Sequence, residues 1–131
     1  MKAINEGKQM TDVWRLPAIG RWEKSCGKHP TQKPLALLTR IILASTDEND
    51  WILDPFAGSS TTGIAANLCG RNFLGIEQKS GFVNLSKARR EEITQLNIKQ
   101  TYLQKLSDLN FLQSTQHANE PQQDYGSDLP F

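Results

Sequence analysis

Residues 51–63 read Trp-Ile-Leu-Asp-Pro-Phe-Ala-Gly-Ser-Ser-Thr-Thr-Gly, and this stretch decides the fold. Trp51–Leu53 is a short apolar run bounded by turn residues, which is typical of a buried parallel strand. A glycine-containing loop follows, and a helix is expected from about Thr61 to Cys69. Gly70 suits the C-terminal end of that helix, because glycine readily adopts the left-handed conformation found there. The stretch therefore predicts a strand, a loop and a helix in direct succession.

The segments on either side extend this unit. A helix is predicted at residues 31–45, with Thr31 as a possible N-cap. A second strand is predicted at residues 72–76, followed by a helix from about 81 to 96. The exposed side of this last helix is expected to carry Lys87, Arg89, Arg90, Glu91 and Glu92. The order helix, strand, helix, strand, helix predicts an α/β fold with a parallel sheet and a right-handed crossover.

Three segments organise the chain. Residues 1–28 are expected to form a loop-rich N-terminal segment, with a possible short strand at 12–17 that stops at a proline. Residues 29–97 hold the α/β unit. Residues 98–131 are expected to contain a weak helix and, from Gln113 onward, a polar and disordered tail.

Composition limits the function classes. The chain has 131 residues and a net charge of +1, so it suits one domain and lacks the basic excess of a dedicated nucleic-acid binder. No apolar run approaches the roughly 20 residues of a membrane span. The two cysteines are far apart and have no metal-ligand spacing, so no metal site is expected. These features favour a cytosolic (cytoplasmic) protein with no membrane partner.

The N-terminal segment carries basic and aromatic residues, which suit phosphates and unstacked bases. These are Trp14, Arg15, Trp22, Lys24 and Lys28. The alternative, which we favour, is an ordinary amphipathic loop that packs against another part of a larger protein.

The strand-tip residues point to a ligand. Gly58 permits a tight turn and close approach of a ligand to the backbone. The helix start at residues 60–62 offers unpaired N–H groups that suit a carboxylate or phosphate. Glu77 follows Gly58 by 19 residues, at the end of the second strand, where a carboxylate can accept hydrogen bonds from ribose hydroxyls. Together these residues predict an adenosine-containing cofactor with an anionic end.

Two alternatives stay open for this loop. Its glycines can serve packing alone, and the chain can be an unrelated nucleotide-binding Rossmann domain. A nucleotide-triphosphate loop is disfavoured, because no lysine follows Gly63.

A second constellation precedes the first helix. Residues 27–34 read Gly-Lys-His-Pro-Thr-Gln-Lys-Pro, and their two prolines stiffen the loop. His29, Thr31 and Lys33 place donors beside the helix N-terminus, where Lys33 can pair with a carboxylate. The alternative is a capped helix start with a solvated lysine, and spacing alone favours it.

Together these motifs resemble the beta-class DNA amino-methyltransferases, the N6-adenine and N4-cytosine enzymes found mostly in restriction–modification systems. The resemblance covers roughly residues 12–95. It rests on His-Pro-Thr-Gln-Lys-Pro at 29–34, Leu-Asp-Pro-Phe-Ala-Gly-Ser at 53–59, and Gly-Ile-Glu at 75–77. It implies a Rossmann-like S-adenosylmethionine-dependent methyltransferase fold, here incomplete, that acts on DNA within a complete enzyme.

The resemblance also implies roles for single residues. Glu77 would hold the ribose of S-adenosylmethionine, and Phe73 or Ile76 would flank its adenine. Lys33 would lie near the cofactor carboxylate, with Thr31 beside it. The residues implied around the methionine end are Asp54, Phe56, Ala57, Gly58 and Ser59.

Two departures from the family pattern matter. The family loop usually has a second glycine where this chain has Ser60. The catalytic Asp-Pro-Pro-Tyr motif is absent, because the sequence has no adjacent prolines. We therefore expect no catalytic residue in this chain and no methyl transfer by it alone. A complementing N-terminal half, or a homodimer, is the expected partner.

Overall fold

The computed structural model describes residues 13–14, 16–27 and 29–118, with side chains described as far as residue 109. A short 3₁₀ helix comes first, followed by four α-helices and two β-strands. In chain order these are the 3₁₀ helix Arg21–Lys24, α1 Leu35–Ser45, β1 Trp51–Asp54, α2 Thr61–Leu68, β2 Asn72–Gly75, α3 Ser80–Glu92 and α4 Leu96–Ala118. The predicted order of helices and strands is confirmed from α1 to α3.

The two strands form a parallel pair, joined by α2 as the crossover. Trp51 lies beside Asn72 at one end of the pair, and Asp54 lies beside Gly75 at the other. Because the strands run in the same direction and in register, the loops that follow both of them emerge at one edge of the sheet. This is the incomplete Rossmann-like arrangement that the sequence predicts.

The core lies among α1, α2, the inner face of the strands, the end of α3 and α4. Its buried apolar residues are Leu35, Ala36, Ile42, Ile64, Ala65, Ala66, Leu68, Ile93, Tyr102 and Leu106. Ala65 and Ala66 are fully buried, because small side chains let α2 approach its neighbours closely. A Cβ added at Gly63 would meet the Phe73 ring at 2.6 Å, so α2 and β2 are in close contact there.

The opposite face of the strand pair is bare. Trp51 is 73% exposed, Leu53 61% and Leu74 56%, whereas Ile52 and Phe73 pack against the core. Successive side chains of a strand point to opposite faces, and no described element covers the outer one. The prediction of a fully buried strand is therefore wrong for Trp51 and Leu53.

Helix α1 begins four residues later than predicted. Pro34, not Thr31, occupies the N-cap position, and Thr31 is exposed. The Glu23 side chain takes over the capping role, since its Oε2 accepts the Leu35 N–H at 2.8 Å. A distant carboxylate has thus replaced the local cap, which the sequence pattern alone could not indicate.

Helix α3 also differs from expectation. It ends at Glu92 rather than near residue 96, and Leu96 is 70% exposed at the start of α4. Arg89, which was placed on the exposed side, is only 2% exposed. The reason is helical geometry: position 89 falls on the same face as Phe82, Leu85 and Ile93.

The C-terminal helix runs beyond residue 112, where the predicted weak helix gives way to the predicted tail. It spans Leu96–Ala118 and includes residues 113–118, which the composition assigned to a disordered tail. The rest of the expected tail, residues 119–131, lies outside the described residues. In the N-terminal segment, residues 13, 14, 16 and 17 form no strand, and residues 12 and 15 are not described. No helix in the described part of the chain is long and apolar enough to cross a membrane.

Candidate functional site

The loop after β1 is shaped by the last residue of that strand. The two carboxylate oxygens of Asp54 accept hydrogen bonds from opposite sides of the loop. One accepts the Phe56 N–H at 3.0 Å, and the other accepts the Thr62 hydroxyl at 2.6 Å. Asp54 therefore ties the end of β1 to the first turn of α2.

Two residues of the loop adopt left-handed backbone conformations. Gly58 has φ 53°, which glycine tolerates, and Ser60 has φ 59° and ψ 37°. The Ser60 N–H donates to the Ala57 carbonyl at 2.7 Å, which closes a tight turn. A left-handed serine is unfavourable because its Cβ crowds the backbone. Ser60 therefore holds, at a cost, a conformation that glycine adopts readily.

A short ladder of hydrogen bonds joins the loop to the end of β2. Ile76 N–H donates to the Asp54 carbonyl, and Ala57 N–H donates to the Ile76 carbonyl, both at 2.9 Å. Beyond this ladder, Gly58 N–H donates to Glu77 Oε2 at 3.0 Å. The expected neighbourhood of Gly58 and Glu77 at one edge of the sheet is confirmed.

Glu77 is held in its ionised form by backbone donors. Its Oε1 accepts the Lys79 N–H at 2.8 Å, while its Oε2 accepts the Gly58 N–H. The Lys79 N–H contributes most to lowering the pKa of this carboxyl, and Gly58 and His29 lower it further. Each carboxylate oxygen retains a second lone pair, so Glu77 can still accept hydrogen bonds from a diol.

Side chains of α3 and of the N-terminal loop support Gly58. The Ser86 hydroxyl donates to the Gly58 carbonyl at 3.0 Å. The His29 ring packs against Phe82 of α3, with the ring centroids 4.1 Å apart and the planes tilted by 54°, and a Cβ added at Gly58 would meet His29 Nε2 at 3.3 Å. Glycine therefore suits position 58 by its conformation, and a side chain there would make a tight contact with the His29 ring.

Arg89 is the functional candidate that sequence reasoning missed. Its Nη1 donates to the Ser59 carbonyl at 2.7 Å, to the Ser59 hydroxyl at 3.2 Å and to the Thr61 hydroxyl at 3.1 Å. The signal was present in the spacing, because Arg89 interrupts an otherwise apolar helix face. An arginine in such a stripe indicates a buried polar partner.

Thr31 and Lys33 lie less close to the loop than the other predicted residues. The Thr31 N–H donates to His29 Nδ1 at 3.2 Å, so His29 lies between Thr31 and Gly58. Lys33 is exposed and makes no hydrogen bond or ion pair among the described residues. The structure thus brings together Asp54, Phe56, Ala57, Gly58, Ser59 and Glu77. Thr31 is linked to them through His29, and Lys33 makes no hydrogen bond or ion pair with them in the described structure.

A cavity of about 650 Å³ extends from these strand tips along β2, between α2 and α3. Ala57 and Glu77 line it, and so do Phe73 and Ile76, the two candidates for flanking an adenine. Lys87 and Arg90 of α3 add positive charge to its wall. The volume is in the range of small-molecule sites, roughly 300–1,000 Å³.

The donor set at this edge suits an adenosyl amino acid. Glu77 offers acceptors for a ribose. The backbone N–H groups of Thr61, Thr62 and Gly63 have no hydrogen-bond partner in the described structure, so the first turn of α2 can receive a carboxylate. Within the same described residues, no group of three or more His, Cys, Asp or Glu could hold a metal ion.

Comparison with known proteins gives separate evidence for the family of this chain. A family model for DNA methylases of the N6/N4 methyltransferase type matches residues 2–88. The type II methyltransferase M2.MboI of Moraxella bovis is 59% identical over 106 residues, which are 81% of this chain and 38% of that protein. M2.DpnII of Streptococcus pneumoniae is 52% identical over 97 residues, 74% of this chain and 36% of that protein.

The chain therefore spans less than two fifths of the length of these curated relatives. Among solved structures, the M1.HpyAVI–SAM complex is similar with 51% identity and a TM-score of 0.47. That match covers 48% of this chain and 31% of the other.

Proposed function

Because this chain belongs to the DNA methylase family of N6 and N4 methyltransferases, we propose that it is the cofactor-binding part of a DNA amino-methyltransferase. The complete enzyme would transfer a methyl group from S-adenosylmethionine to the exocyclic amine of adenine. Cytosine N4 is the less favoured target, because adenine enzymes are more frequent in the family. DNA would be bound by the complete enzyme rather than by this chain alone, whose net charge is +1.

One observation carries this proposal: the hydrogen bond between Gly58 and Glu77 at the tips of adjacent parallel strands. Glu77 would accept hydrogen bonds from the two ribose hydroxyls. The loop at Asp54–Ser59 would surround the methionine end, and the free N–H groups of α2 would face its carboxylate. Thr31 and Lys33 would approach the cofactor from the opposite side.

These residues would bind and orient rather than react. S-adenosylmethionine supplies an electrophilic methyl group on a sulfonium. The chain's own contribution would be to fix that sulfonium relative to the two strand tips, which lowers the entropic cost of an in-line attack by the amine nitrogen. The orientation of the target amine belongs to the Asp-Pro-Pro-Tyr motif, which this sequence lacks.

Calorimetry tests the cofactor assignment. The purified 131-residue chain would be titrated with S-adenosylmethionine, S-adenosylhomocysteine and NAD. We expect saturable binding of both adenosyl compounds and none of NAD, since an unrelated dinucleotide-binding domain would show the reverse. Binding of NAD alone would overturn the proposal.

A second candidate function is a non-catalytic cofactor-binding or assembly fragment that needs a partner chain carrying the Asp-Pro-Pro-Tyr-type motif. The absence of adjacent prolines and the bare outer face of the strands favour it. A methyl-transfer assay on unmethylated genomic DNA separates the two. We expect no transfer by this chain alone, and robust methylation by it would refute that expectation.

A further inference from the structure

The carbonyl groups of the loop are held by one helix. Ser86 and Arg89 are three residues apart on α3 and therefore share a face. Ser86 donates to the Gly58 carbonyl, and Arg89 donates to the Ser59 carbonyl. Arg89 also reaches the hydroxyls of Ser59 and Thr61, so it bonds the residues on both sides of Ser60.

We propose that Arg89 is the positioning residue of the cofactor loop, a buried guanidinium that holds residues 58–61 in the conformation that binds the methionine end of the ligand. The inference rests on the proposed function, because it assigns a role within the same site. Arg89 would not touch the ligand. It would act through Ser59 and Thr61.

The loop conformation needs such support. Ser60 lies in the left-handed region, which a serine adopts rarely, and the neighbouring Gly58 does so too. A strained residue persists only where its surroundings over-determine it. The three hydrogen bonds from Arg89 flank Ser60 and provide this constraint, whereas the family pattern needs less of it because glycine tolerates the conformation.

The guanidinium is suited to the task by shape and by charge. It is planar and rigid, and the two hydrogens of Nη1 are shared among three acceptors, the Ser59 carbonyl and the hydroxyls of Ser59 and Thr61. Arg89 is 2% exposed, and its hydrogen bonds go to loop oxygens rather than to a carboxylate. Burial lowers its pKa, and the nearby Tyr102 and Glu23 act in the opposite direction.

The second terminal nitrogen of the guanidinium differs from the first. Arg89 Nη2 is buried and has no hydrogen-bond partner in the described structure. Burying Nη2 without a partner costs free energy. An arginine that served packing alone could be replaced by an apolar side chain, which would avoid that cost. The three bonds of Nη1 are therefore the specific contribution of this arginine.

The first test needs no ligand. Hydrogen exchange of single amides would be measured by NMR in wild type, Arg89→Lys and Arg89→Gln. We expect exchange at Gly58 and Ser60 to accelerate at least tenfold in Arg89→Gln and less in Arg89→Lys, which keeps one charged donor. Amides of Ile64 and Ala65 in α2 should keep their protection, because only the loop is released.

The second test measures ligands that differ at one end. S-adenosylhomocysteine carries the amino acid group, and methylthioadenosine lacks it. If Arg89 positions the loop, Arg89→Gln should weaken the binding of S-adenosylhomocysteine at least tenfold and that of methylthioadenosine less than threefold. Arg40→Met in α1 is the matched control, since Arg40 is partly buried and makes no described contact with the loop.

The outcomes separate the inference from the proposed function. If wild type binds neither adenosyl compound, the proposed function fails, and the inference fails with it. If wild type binds both and Arg89→Gln weakens them equally, or if loop amides and α2 amides lose protection together, Arg89 is a general structural residue and the inference alone is overturned. Where Arg89→Gln does not fold, Arg89→Lys provides the same comparison.

Discussion

Gly58 and Glu77 lie 19 residues apart in sequence, and the backbone N–H of the first donates to the side chain of the second at 3.0 Å. This bond crosses from the loop after β1 to the second residue after β2. It places a left-handed glycine turn and a carboxylate side by side at one edge of a parallel sheet. The adenosine and amino acid ends of one ligand could thus be bound by two neighbouring strand tips.

Removing the Glu77 carboxylate should weaken cofactor binding. We expect Glu77→Ala to raise the Kd for S-adenosylhomocysteine at least tenfold, because charge-assisted hydrogen bonds to the ribose are lost. Calorimetry would measure this, with Glu91→Ala on the exposed surface of α3 as the control. An unchanged Kd in Glu77→Ala would remove Glu77 from the site.

The Gly58 amide should report the ionisation of Glu77. The pKa of this carboxyl is lowered, chiefly by the Lys79 N–H, so its ionised form stabilises the fold above the pKa of the unfolded chain. That stabilisation is lost as the pH falls through the lower, folded-state pKa. We expect the ¹H–¹⁵N signals of Gly58 and Lys79 to titrate with a midpoint below about 4.3, the ordinary glutamate value.

Glu77→Gln is the control for this titration. In that variant neither amide signal should show the acid-range titration step that Glu77 produces in wild type. A midpoint above the ordinary glutamate value in wild type would contradict the assigned hydrogen bonds.

Restoring glycine at position 60 should stabilise the chain. The left-handed conformation costs a serine about 1–2 kcal/mol, which glycine would avoid. Glycine also makes the unfolded chain more flexible, and this offsets about 0.5–1 kcal/mol of the gain. We expect Ser60→Gly to raise the free energy of unfolding by about 0.5–1 kcal/mol in urea titrations. Ser60→Ala keeps the Cβ and should give no gain, so equal effects of the two variants would exclude backbone strain as the cause.

Glu23 should stabilise the start of α1 although it lies 12 residues before Leu35. Its carboxylate accepts hydrogen bonds from the backbone N–H groups of Leu35 and Gly20. We expect Glu23→Ala to cost about 1–2 kcal/mol of stability, as loss of a helix cap does. Glu23→Gln retains an acceptor oxygen and should cost less. A Glu23→Ala variant as stable as wild type would show that water replaces the cap.

The bare outer face of the strands should promote self-association. Trp51 and Leu53 are 73% and 61% exposed on an unpaired sheet surface. We expect the double variant Trp51→Ser, Leu53→Lys to shift the sedimentation coefficient toward that of a monomer while Tm changes little. Gln100→Lys, an exposed position on α4, controls for added charge. A wild-type chain that is monomeric at all concentrations would contradict the expectation.

Local patterns predicted the elements well where apolar runs and glycines coincide. β1, α2 and β2 lie within two residues of their predicted bounds, since the strand–loop–helix succession is encoded in adjacent residues. The predicted start of α1 was wrong, because the side chain that caps this helix belongs to Glu23, which is distant in sequence. The burial of Arg89 was also missed, since a charged residue on a helix is usually solvated and only its partners in the loop explain the exception.

The sequence by itself determined the family, the parallel strand pair and the neighbourhood of Gly58 and Glu77, because these depend on a contiguous motif and on the regular geometry of a strand–helix–strand unit. Only the tertiary structure decided that Ser60 adopts a left-handed turn, that Arg89 is buried beneath the loop and that one sheet face is bare. The burial of Arg89 and the bare face depend on which groups meet across long stretches of chain, and the Ser60 turn is held between Ala57 and Arg89. Local propensity does not encode such meetings, because they follow from tertiary packing and hydrogen bonding.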